Sequence, residues 1–572
     1  MTVETTAGIT RFGWARALPL AMTLGFALCT GAAAGELSGN DGLLPGQKVT
    51  TGTLAPDEPG PAEQAVPLRS MSPRERAALL HRRQDRPARP RAVRAEMVPE
   101  SEAATLPPET ELVGPPAFTG APPRAALVFG RNSPIGPAES PNALALSEPA
   151  AVNWGRRVFA TANPDRAGYS TDGGRTWTEI ALPPGPREAP YLCCDQNVVI
   201  DPGGTAFHSA LYMADPFFAG PGVVRLFVRR KLDSPAAACS YTFPFDPSVQ
   251  PDYPHIALGR NYLYLGVNEL DANDPEGPAT ARMYRVPLAA LRRCGRLSFT
   301  SFAQADPEIG QRIWVPAEGA YDEAAMYWMQ HETDHTIRIF TWPESARVPR
   351  QTVRFVQPSR FENPDCRGGI GDFDWIGDRF GFRMSPWSIA GFRVRCTVAK
   401  GANEPEGVLA CYWNSAPVGG IPQAHVRSAV LALLDLRVRA QPHLWNADRC
   451  IGYPAVTSNV LGDIGISVAA GGRAGGGGLA VRGYVGIDDR STPGVGHFRK
   501  LHRAAFGIAN GSDERYGDYV TIHPYRTCGR WFGATSFAWD RAPVENGSSV
   551  NAHWVEFGRE AYRACYDAAA SR

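Results

Sequence analysis

The sequence predicts an all-β protein in which most of the chain forms one β-propeller of seven blades, with six blades as the alternative. Three observations support this prediction. The 572 residues include 59 Gly and 51 Pro, more than average usage, which indicates many tight turns. Short runs of alternating apolar and polar residues are broken about every ten residues by Gly, Pro, Asp or Asn. A similar opening also recurs several times along the chain.

The recurring opening is an acidic residue or Gly, then an aromatic or polar pair, and then a strand-like run. It occurs at Asp195–Ile200, Asp252–Leu258, Glu318–Glu323, Gly371–Ile376, Gly452–Val456 and Gly517–Ile522. The intervals match the length of a four-stranded sheet with its loops, and a strand cluster at residues 152–180 precedes them. Small sheets repeated around an axis form a β-propeller, which protects its strand edges by repetition. Two β-sandwich domains are the competing all-β interpretation.

The N-terminus has the pattern of an export signal. Arg11 and Arg16 precede an apolar run, Ala17–Ala34, that ends in small residues. Pro19 and other interruptions make this run weakly hydrophobic, so a cleaved signal peptide over residues 1–34 is preferred to a membrane anchor. A secreted or periplasmic protein is therefore expected, without a stable membrane span after cleavage.

The remaining chain divides by composition. Residues 35–123 are rich in Pro, Ala and Arg and lack a sustained apolar period, so they are interpreted as a linker or pro-segment. The propeller is expected over residues 124–560, and a C-terminal tail over residues 561–572. The net charge of +1 gives no indication of a nucleic acid partner. A monomer is expected.

The cysteines predict disulfides. Of the 11 cysteines, only Cys29 lies within the predicted signal, and an even number remains in the exported chain. No CxxC pair occurs, which argues against a zinc ribbon or a thioredoxin-like redox site. The adjacent Cys193 and Cys194 are expected to bridge to two different partners rather than to each other.

One motif indicates a particular kind of propeller. An octapeptide reads Ser-x-Asp-x-Gly-x-Thr-Trp, in which Ser and Asp can bond turn amides, Gly supplies a positive φ and Trp packs beneath the turn. The matching residues are Ser170, Asp172, Gly174, Thr176 and Trp177. The motif resembles the Asp-box, or bacterial neuraminidase repeat, of sialidase-like β-propellers. The resemblance implies that the octapeptide is structural and lies between the outer two strands of a blade.

Two later segments resemble late blades of exported, mostly uncharacterised bacterial members of this group. They are Arg515–Tyr519 followed by Thr521, and Gly452–Pro454 followed by Gly462–Ile466. A working sialidase is also expected to carry an Arg-Ile-Pro motif near the start of its propeller, and none occurs. No sialidase catalytic residue is therefore carried over to this sequence.

Candidate functional residues follow from propeller geometry. The first strand of each blade lines the channel, and the loops leading into these strands converge at one mouth. Carboxylates with Tyr and His suit acid–base attack on a glycan, by two carboxylates in a hydrolase or by a Tyr/His pair in β-elimination. The alternative is that they only bond neighbouring blades. The candidates are Asp195, Gln196, Asp252, Tyr253, His255, Glu323, Asp372, Asp374, Tyr453, Arg515, Tyr516 and Asp518.

Two segments raise the question of a metal. His331–His335 matches the zinc-protease pattern HExxH, but it lies between strand-like runs and favours a hairpin turn over the helix that zinc binding needs. The acidic loop Asp271–Glu276 leaves calcium open but lacks the spacing of an EF-hand. No cofactor and no metal ligand is predicted.

The sequence thus predicts an exported propeller that binds an extracellular glycan, or another small polar ligand, at the channel mouth. A carbohydrate-active enzyme on the same face, either a glycoside hydrolase or a polysaccharide lyase, is the first alternative. A zinc protease through His331 and His335 is the second. The fold alone does not decide between them, so whether the chain is an enzyme is left open.

Overall fold

The computed structural model describes residues 43, 46–57, 112–113, 127–136, 147–163, 166–215, 220–274, 279–305, 313–360, 365–369, 373–376, 394–488, 495–498, 500–507, 520–539 and 550–571. The predicted signal peptide and most of the predicted linker lie outside these residues. So do four site candidates: Asp372, Arg515, Tyr516 and Asp518. The elements described below all belong to one unit, residues 46–572.

Three strands precede the first blade: β1 (Gln47–Leu54), β2 (Leu112–Val113) and β3 (Leu127–Pro134). Blade 1 is formed by β4 (Ser147–Trp154), β5 (Arg157–Asn163), β6 (Arg166–Ser170) and β7 (Thr178–Ile180). Blade 2 is formed by β8 (Tyr191–Ile200), β9 (Ala206–Met213), β10 (Gly222–Arg229) and β11 (Cys239–Phe243). Blade 3 is formed by β12 (Val249–Leu258), β13 (Tyr262–Asp271), β14 (Thr280–Pro287), helix α1 (Leu288–Arg293) and β15 (Leu297–Ala305).

Blade 4 is formed by β16 (Ala325–His331), β17 (Thr336–Pro343) and β18 (Arg350–Phe355), and it is followed by β19 (Cys366–Gly368) and β20 (Phe373–Asp374). Blade 5 is formed by β21 (Arg395–Gly401), β22 (Glu404–Ser415), β23 (His425–Ala432), β24 (Val438–Ala440) and β25 (His443–Leu444). Blade 6 is formed by β26 (Cys450–Ser458), β27 (Ile464–Gly471), β29 (Arg482–Ile487) and β30 (Lys500–Ala505), and the short strand β28 (Arg473–Ala474) lies between β27 and β29 in the chain. The last elements are β31 (Ile522–Pro524), β32 (Phe532–Trp539), β33 (Val550–Arg559), a 3₁₀ turn (Glu560–Tyr562) and helix α2 (Arg563–Ala570).

The seven antiparallel blades surround a central channel, which confirms the predicted all-β, seven-bladed propeller. In chain order the first strand of a blade is innermost, and inner strands of successive blades contact one another, as β4 contacts β8 and β8 contacts β12. In blade 4 the inner position is held by Ile313–Glu318, and the Ala317 amide donates to the Tyr327 carbonyl of β16. Among the described residues, no helix is long and apolar enough to cross a membrane.

The blades pack face to face, which explains their sequence pattern. Every residue of β9 and of β10 is buried, because each blade is covered by a neighbour on both sides. Their sequences are therefore mostly apolar rather than alternating, although they also bury His208, Ser209, Arg225 and Arg229. In blade 4 the Trp328 ring stacks on Phe340 with centroids 4.9 Å apart, and Trp314 lies 5.0 Å from Phe340. Phe302 of blade 3 stacks on the same Trp314 with centroids 5.3 Å apart, so aromatic rings also fill the wedge between neighbouring blades.

The ring is closed by strands from the two ends of the propeller. Strand β3 pairs with β33, so blade 7 has the order β31-β32-β33-β3. Strands β1 and β2 extend blades 3 and 6 at their outer edges, by pairing with β15 and β30. Both strands lie within the segment 35–123 that the sequence analysis interprets as a linker. An edge strand gains stability from backbone pairing and needs few apolar residues, so the composition does not indicate it.

Two predicted blade openings are wrong. The segment Glu318–Glu323 follows the inner segment Ile313–Glu318 of blade 4 instead of beginning it. The segment Gly371–Ile376 does not begin blade 5, since the first strand of that blade is β21, which starts at Arg395. Strand β20 belongs instead to a small sheet of order β20-β19-β28. Asp374 accepts hydrogen bonds from the amides of Cys366 (3.0 Å) and Ile376 (3.3 Å), so the acidic residue serves a local turn.

Five disulfides are formed, as the even cysteine number predicts: Cys193–Cys194, Cys239–Cys294, Cys366–Cys450, Cys396–Cys411 and Cys528–Cys565. The expectation that Cys193 and Cys194 reach two different partners is wrong. Consecutive side chains point to opposite faces of a regular strand, but the pairing of β8 with β9 shifts register on both sides of Cys194. These irregularities bring the two sulfurs together.

The C-terminal residues pack on blade 7. The Tyr566 ring of α2 stacks on Trp531 with centroids 4.2 Å apart, and its hydroxyl donates to Glu556 Oε2 at 2.5 Å. Trp554 Nε1 donates to the other oxygen of Glu556, which is buried. The segment predicted as a tail therefore includes a helix that satisfies a buried carboxyl group.

We expect Tyr566→Phe to lower the free energy of unfolding by about 1–3 kcal/mol, because it keeps the stacked ring and leaves a buried oxygen of Glu556 without its donor. Denaturant unfolding of the oxidised protein measures the change. Tyr562→Phe is the matched control, since the Tyr562 hydroxyl has no hydrogen bond to a described residue and its loss should have little effect. Equal stabilities of the two variants would contradict this account of the helix.

Candidate functional site

Four inner strands open with the same backbone irregularity. Glu148, Asp195, Tyr253 and Tyr453 have φ between 53° and 56°, a left-handed conformation that is uncommon outside Gly. Each lies at a register shift between the inner strand and its neighbour, in blades 1, 2, 3 and 6. Such a bulge redirects the side chains that follow it. The bulges therefore determine which side chains enter the channel.

Side chains of the preceding blade hold several of these openings. Asp195 Oδ2 accepts a hydrogen bond from the Tyr253 amide at 3.1 Å, and Asn414 Oδ1 accepts one from the Tyr453 amide at 2.9 Å. Asn163 Oδ1 accepts from the Gln196 amide at 3.4 Å. Asp195 thus bonds the neighbouring blade, the structural role that the sequence analysis weighed as the alternative to catalysis.

Side chains of blades 2, 3 and 5 meet in the channel around Arg395. Its Nη2 donates to the Tyr253 hydroxyl at 2.9 Å, and its Nη1 donates to His255 Nδ1 at 2.8 Å. The Asn197 side-chain amide lies 3.4 Å from the same nitrogen. Because these donors face Nδ1, the neutral imidazole carries its proton on Nε2. Burial, and then the nearby Arg395 charge, lower the pKa of His255 well below its usual value, so the ring is neutral at pH 7.

A second group lies beside it. Glu318 Oε2, at the end of the inner segment of blade 4, is 3.9 Å from Nδ1 of His523 in β31. Burial raises the pKa of Glu318 to about 8, although the charges of Arg526 and Arg395 oppose this shift. Burial and the Arg526 charge lower the pKa of His523 to about 3. At neutral pH a protonated carboxylic acid therefore faces an uncharged imidazole.

These residues line one cavity, to which blades 2 to 7 contribute. About 30 Å³ of it can be occupied by the centre of a water molecule, which is room for about two waters. We call its ionisable and amide side chains, together with Tyr253, the channel cluster. The channel cluster comprises Asn197, Tyr253, His255, Glu318, Arg395 and His523.

The residues predicted from the sequence separate into those that join the channel cluster and those that do not. Tyr253 and His255 belong to the channel cluster. Glu323 instead makes an ion pair with Lys400 (3.1 Å), and Asp252 lies partly exposed on β12. Gln196 is buried and bonds the Ala162 carbonyl.

Tyr453 packs against Trp375 with ring centroids 5.8 Å apart, and its hydroxyl donates to the Trp375 carbonyl. Asp374 belongs to the small sheet described above. Four channel residues were not among the candidates predicted from the sequence: Asn197, Glu318, Arg395 and His523. Glu318 was the first residue of a recognised repeat, which is the one signal that could have indicated it.

The Ser170–Trp177 turn joins β6 and β7, the outer two strands of blade 1. Ser170 Oγ accepts from the Gly174 amide at 2.8 Å, and Asp172 Oδ1 accepts from the Thr176 amide at 2.9 Å. Thr176 Oγ1 donates to Asp172 Oδ2, and Gly174 has φ of 87°. Partial burial raises the pKa of Asp172, but these hydrogen bonds outweigh it and lower the pKa to about 2. The turn lies at the outer part of the blade, away from the channel.

The HExxH letters fall in a hairpin between β16 and β17, as the flanking runs predict. His331 is buried at the end of β16, whereas His335 is exposed and its Nδ1 lies 2.5 Å from Asp334. Glu332 pairs with Arg338. The helix that would bring both histidines to one zinc ion is not formed, so the zinc-protease alternative has no structural basis. In the described ranges no group of three His, Cys, Asp or Glu side chains is placed to hold a metal.

Buried histidines make stability depend on pH. Burial lowers the pKa of His331 and His443 to about 4 and that of His425 and His523 to about 3, against about 6.5 in the unfolded chain. Below pH 6.5 the histidines of the unfolded state bind protons, whereas these buried histidines of the folded state stay neutral. The free energy of unfolding should therefore fall as pH decreases from 7 to 5.

His425→Gln should make this slope shallower, because one such group is removed, whereas exposed His335→Gln should leave it unchanged. Urea unfolding at pH 7, 6 and 5 for the three proteins measures the slopes. A slope that His425→Gln does not change would show that His425 is not a source of acid sensitivity.

The fold and the channel define the class of protein: a seven-bladed β-propeller with a polar channel. Among solved structures, the chain is similar to the GH93 α-L-arabinofuranosidase of Fusarium graminearum, with 10% identity, a TM-score of 0.36, and coverage of 74% of this chain and 97% of that chain. An α-L-arabinanase of Penicillium chrysogenum gives 10% identity, a TM-score of 0.34, and coverage of 76% and 98%. Trypanosoma rangeli sialidase gives 11% identity, a TM-score of 0.32, and coverage of 67% and 60%.

No protein-family model matches the chain, and no curated protein is similar to it in sequence. The likeness to the solved structures concerns the fold, and it says nothing about the activity of this chain.

Proposed function

We propose that this chain is an exported carbohydrate-binding propeller and that the channel cluster binds the carboxylate of an acidic sugar residue of an extracellular glycan, a group that fits a cavity with room for about two waters. The convergence of hydrogen-bonding side chains from five blades on one cavity supports the proposal. These side chains offer guanidinium, imidazole, amide and carboxyl groups, which suit a ligand with many hydroxyls. Function in propellers is carried by such sites rather than by the fold.

The charges of the site favour an acidic ligand over a neutral one. Arg395 and Arg526 are both buried beside the cavity, while Glu318 is protonated at neutral pH because its pKa is raised to about 8. The local potential is therefore positive. A carboxylate on a sugar is attracted by that potential, and guanidinium groups bind carboxylates in fixed geometry.

The disulfides support export. Five bridges form, and disulfides persist in extracellular or periplasmic compartments rather than in the cytosol. The apolar run near the N-terminus supplies a signal of the kind that directs a chain there.

A carbohydrate-active enzyme is the second candidate function. The specific observation that favours it is the neutral acid Glu318 facing the neutral base His523. Buried acid–base pairs with pKa values displaced in this way occur often at catalytic sites.

We expect Arg395→Gln to weaken binding of acidic oligosaccharides by about 10- to 100-fold, because a charge-assisted hydrogen bond to a carboxylate is lost. Titration calorimetry with oligogalacturonate measures the affinity, and neutral arabino-oligosaccharides test charge selectivity. Arg350→Gln, an exposed arginine on β18, is the matched control and should bind as the wild type does. Near-ultraviolet circular dichroism checks that each variant is folded. Equal affinity for neutral and acidic sugars, or full binding by folded Arg395→Gln, would contradict the proposal.

A further inference from the structure

The spacing of Glu318 and His523 distinguishes between two ways of cleaving a glycan. Hydrolases place two carboxyl groups on either side of the scissile bond, about 5–5.5 Å apart in retaining enzymes and about 6.5–9.5 Å apart in inverting ones. Here one carboxylic acid and one imidazole lie 3.9 Å apart, and Glu318 is the only carboxyl group among the described residues that line the cavity. A sugar ring does not fit between groups at that distance. Both groups must approach a substrate from the same side.

We propose that Glu318 and His523 are the acid and the base of a polysaccharide lyase that cleaves uronate-containing glycans by β-elimination. This inference rests on the proposed binding of a sugar carboxylate in the channel, which places the adjoining C5 of the ring at the opening of the cavity that both side chains line. Elimination needs a base at C5 and an acid at O4, and the two can act from one face of the sugar. The close pair matches that requirement, whereas it does not match hydrolysis.

The reaction balances without water, oxidant or cofactor. His523 removes the proton from C5 of the uronate, the C5–H electron pair forms the C4=C5 double bond, and the C4–O4 bond breaks. Glu318 gives its proton to the departing O4. The products are an unsaturated uronide and a fragment with a new hydroxyl end. The proton on His523 then returns to the Glu318 carboxylate 3.9 Å away, and the pair is ready for another turnover.

Removal of the C5 proton requires that the substrate carboxylate be neutralised, because negative charge develops next to it. Arg526 supplies a suitable group beside the pair. Its guanidinium lies 4.4 Å from the Tyr321 ring centroid, and its Nη2 donates to the Ile200 carbonyl. Its Nε is buried and has no hydrogen-bond partner among the described residues, and the same is true of Glu318 Oε2. Donor and acid are thus both available to a ligand.

The protonation states agree with these roles. The charged and titratable groups that face the pair are Arg395, Arg526, Tyr321 and His255. Burial raises the pKa of Glu318 to about 8 and lowers that of His523 to about 3. In the free protein the acid is therefore mostly protonated and the base mostly unprotonated between about pH 3 and pH 8. Activity should be highest in that interval and should fall as Glu318 ionises above it.

The test uses the full oxidised chain with polygalacturonate, alginate and hyaluronan as probes, and arabinan as the neutral comparison. Ultraviolet absorbance reports the unsaturated uronide, and reducing ends report any cleavage. We expect both signals together from at least one acidic polysaccharide. Glu318→Gln and His523→Gln should each lower the rate by about 100-fold or more. Both should retain oligosaccharide binding in calorimetry, which shows that they are folded. Glu406→Gln, an exposed carboxyl on β22, is the matched control and should keep the wild-type rate.

Each other outcome overturns the inference. Reducing ends without the unsaturated product would identify a hydrolase, and binding of an acidic glycan without cleavage would identify a binding protein. Both results leave the proposed binding function intact. Loss of the lyase signal in Glu406→Gln, or its persistence in Glu318→Gln, would show that other groups transfer the proton. Failure to bind any acidic polysaccharide would overturn the binding proposal as well.

Discussion

The channel depends on one backbone constraint, the left-handed residue at the opening of four inner strands. Glu148, Asp195, Tyr253 and Tyr453 each adopt φ near 55°, a conformation that costs about 1 kcal/mol or more for a residue with a side chain. It persists because the neighbouring structure fixes it, as when Asp195 holds the amide of Tyr253. A regular strand would direct Tyr253 and His255 differently, and the contacts of both with Arg395 would be lost.

This constraint also explains how much of the fold could be predicted from the sequence. The repeated openings at residues 195, 252 and 452 were recognised because a bulge needs particular residues within a few positions, and that is local information. The opening at Gly371 was wrong because Asp374 makes a local turn with the same letters. Blade 5 begins at Arg395 without such an opening. The edge strands β1 and β2 were missed because their partners lie far along the chain.

The candidate site was predictable only in part, for a related reason. Tyr253 and His255 follow a recognisable opening and were found. Arg395 contacts His255 across 140 residues of sequence, and His523 meets Glu318 only when the ring is closed. The propeller brings one side chain from each of several blades to its axis, and no local pattern encodes such a meeting. The bridge between the adjacent cysteines was not predicted either. Regular strand geometry argues against it, and the bulge that allows it is not visible in the sequence.

The channel cluster combines buried arginine charge with a neutral carboxylic acid, and under the proposed function this links binding to chemistry. Desolvation keeps Glu318 protonated although Arg395 and Arg526 favour its ionised form, so the described cavity contains positive charge and a neutral acid. A carboxylate that enters brings negative charge close to both members of the pair. Negative charge favours the protonated form of any group, so it raises the pKa of His523 from about 3 and holds that of Glu318 high. The imidazole therefore becomes a stronger base when an acidic sugar is bound, while the carboxylic acid keeps the proton that elimination requires. A neutral sugar produces no such change, and selectivity for acidic glycans would follow in the chemical step as well as in binding.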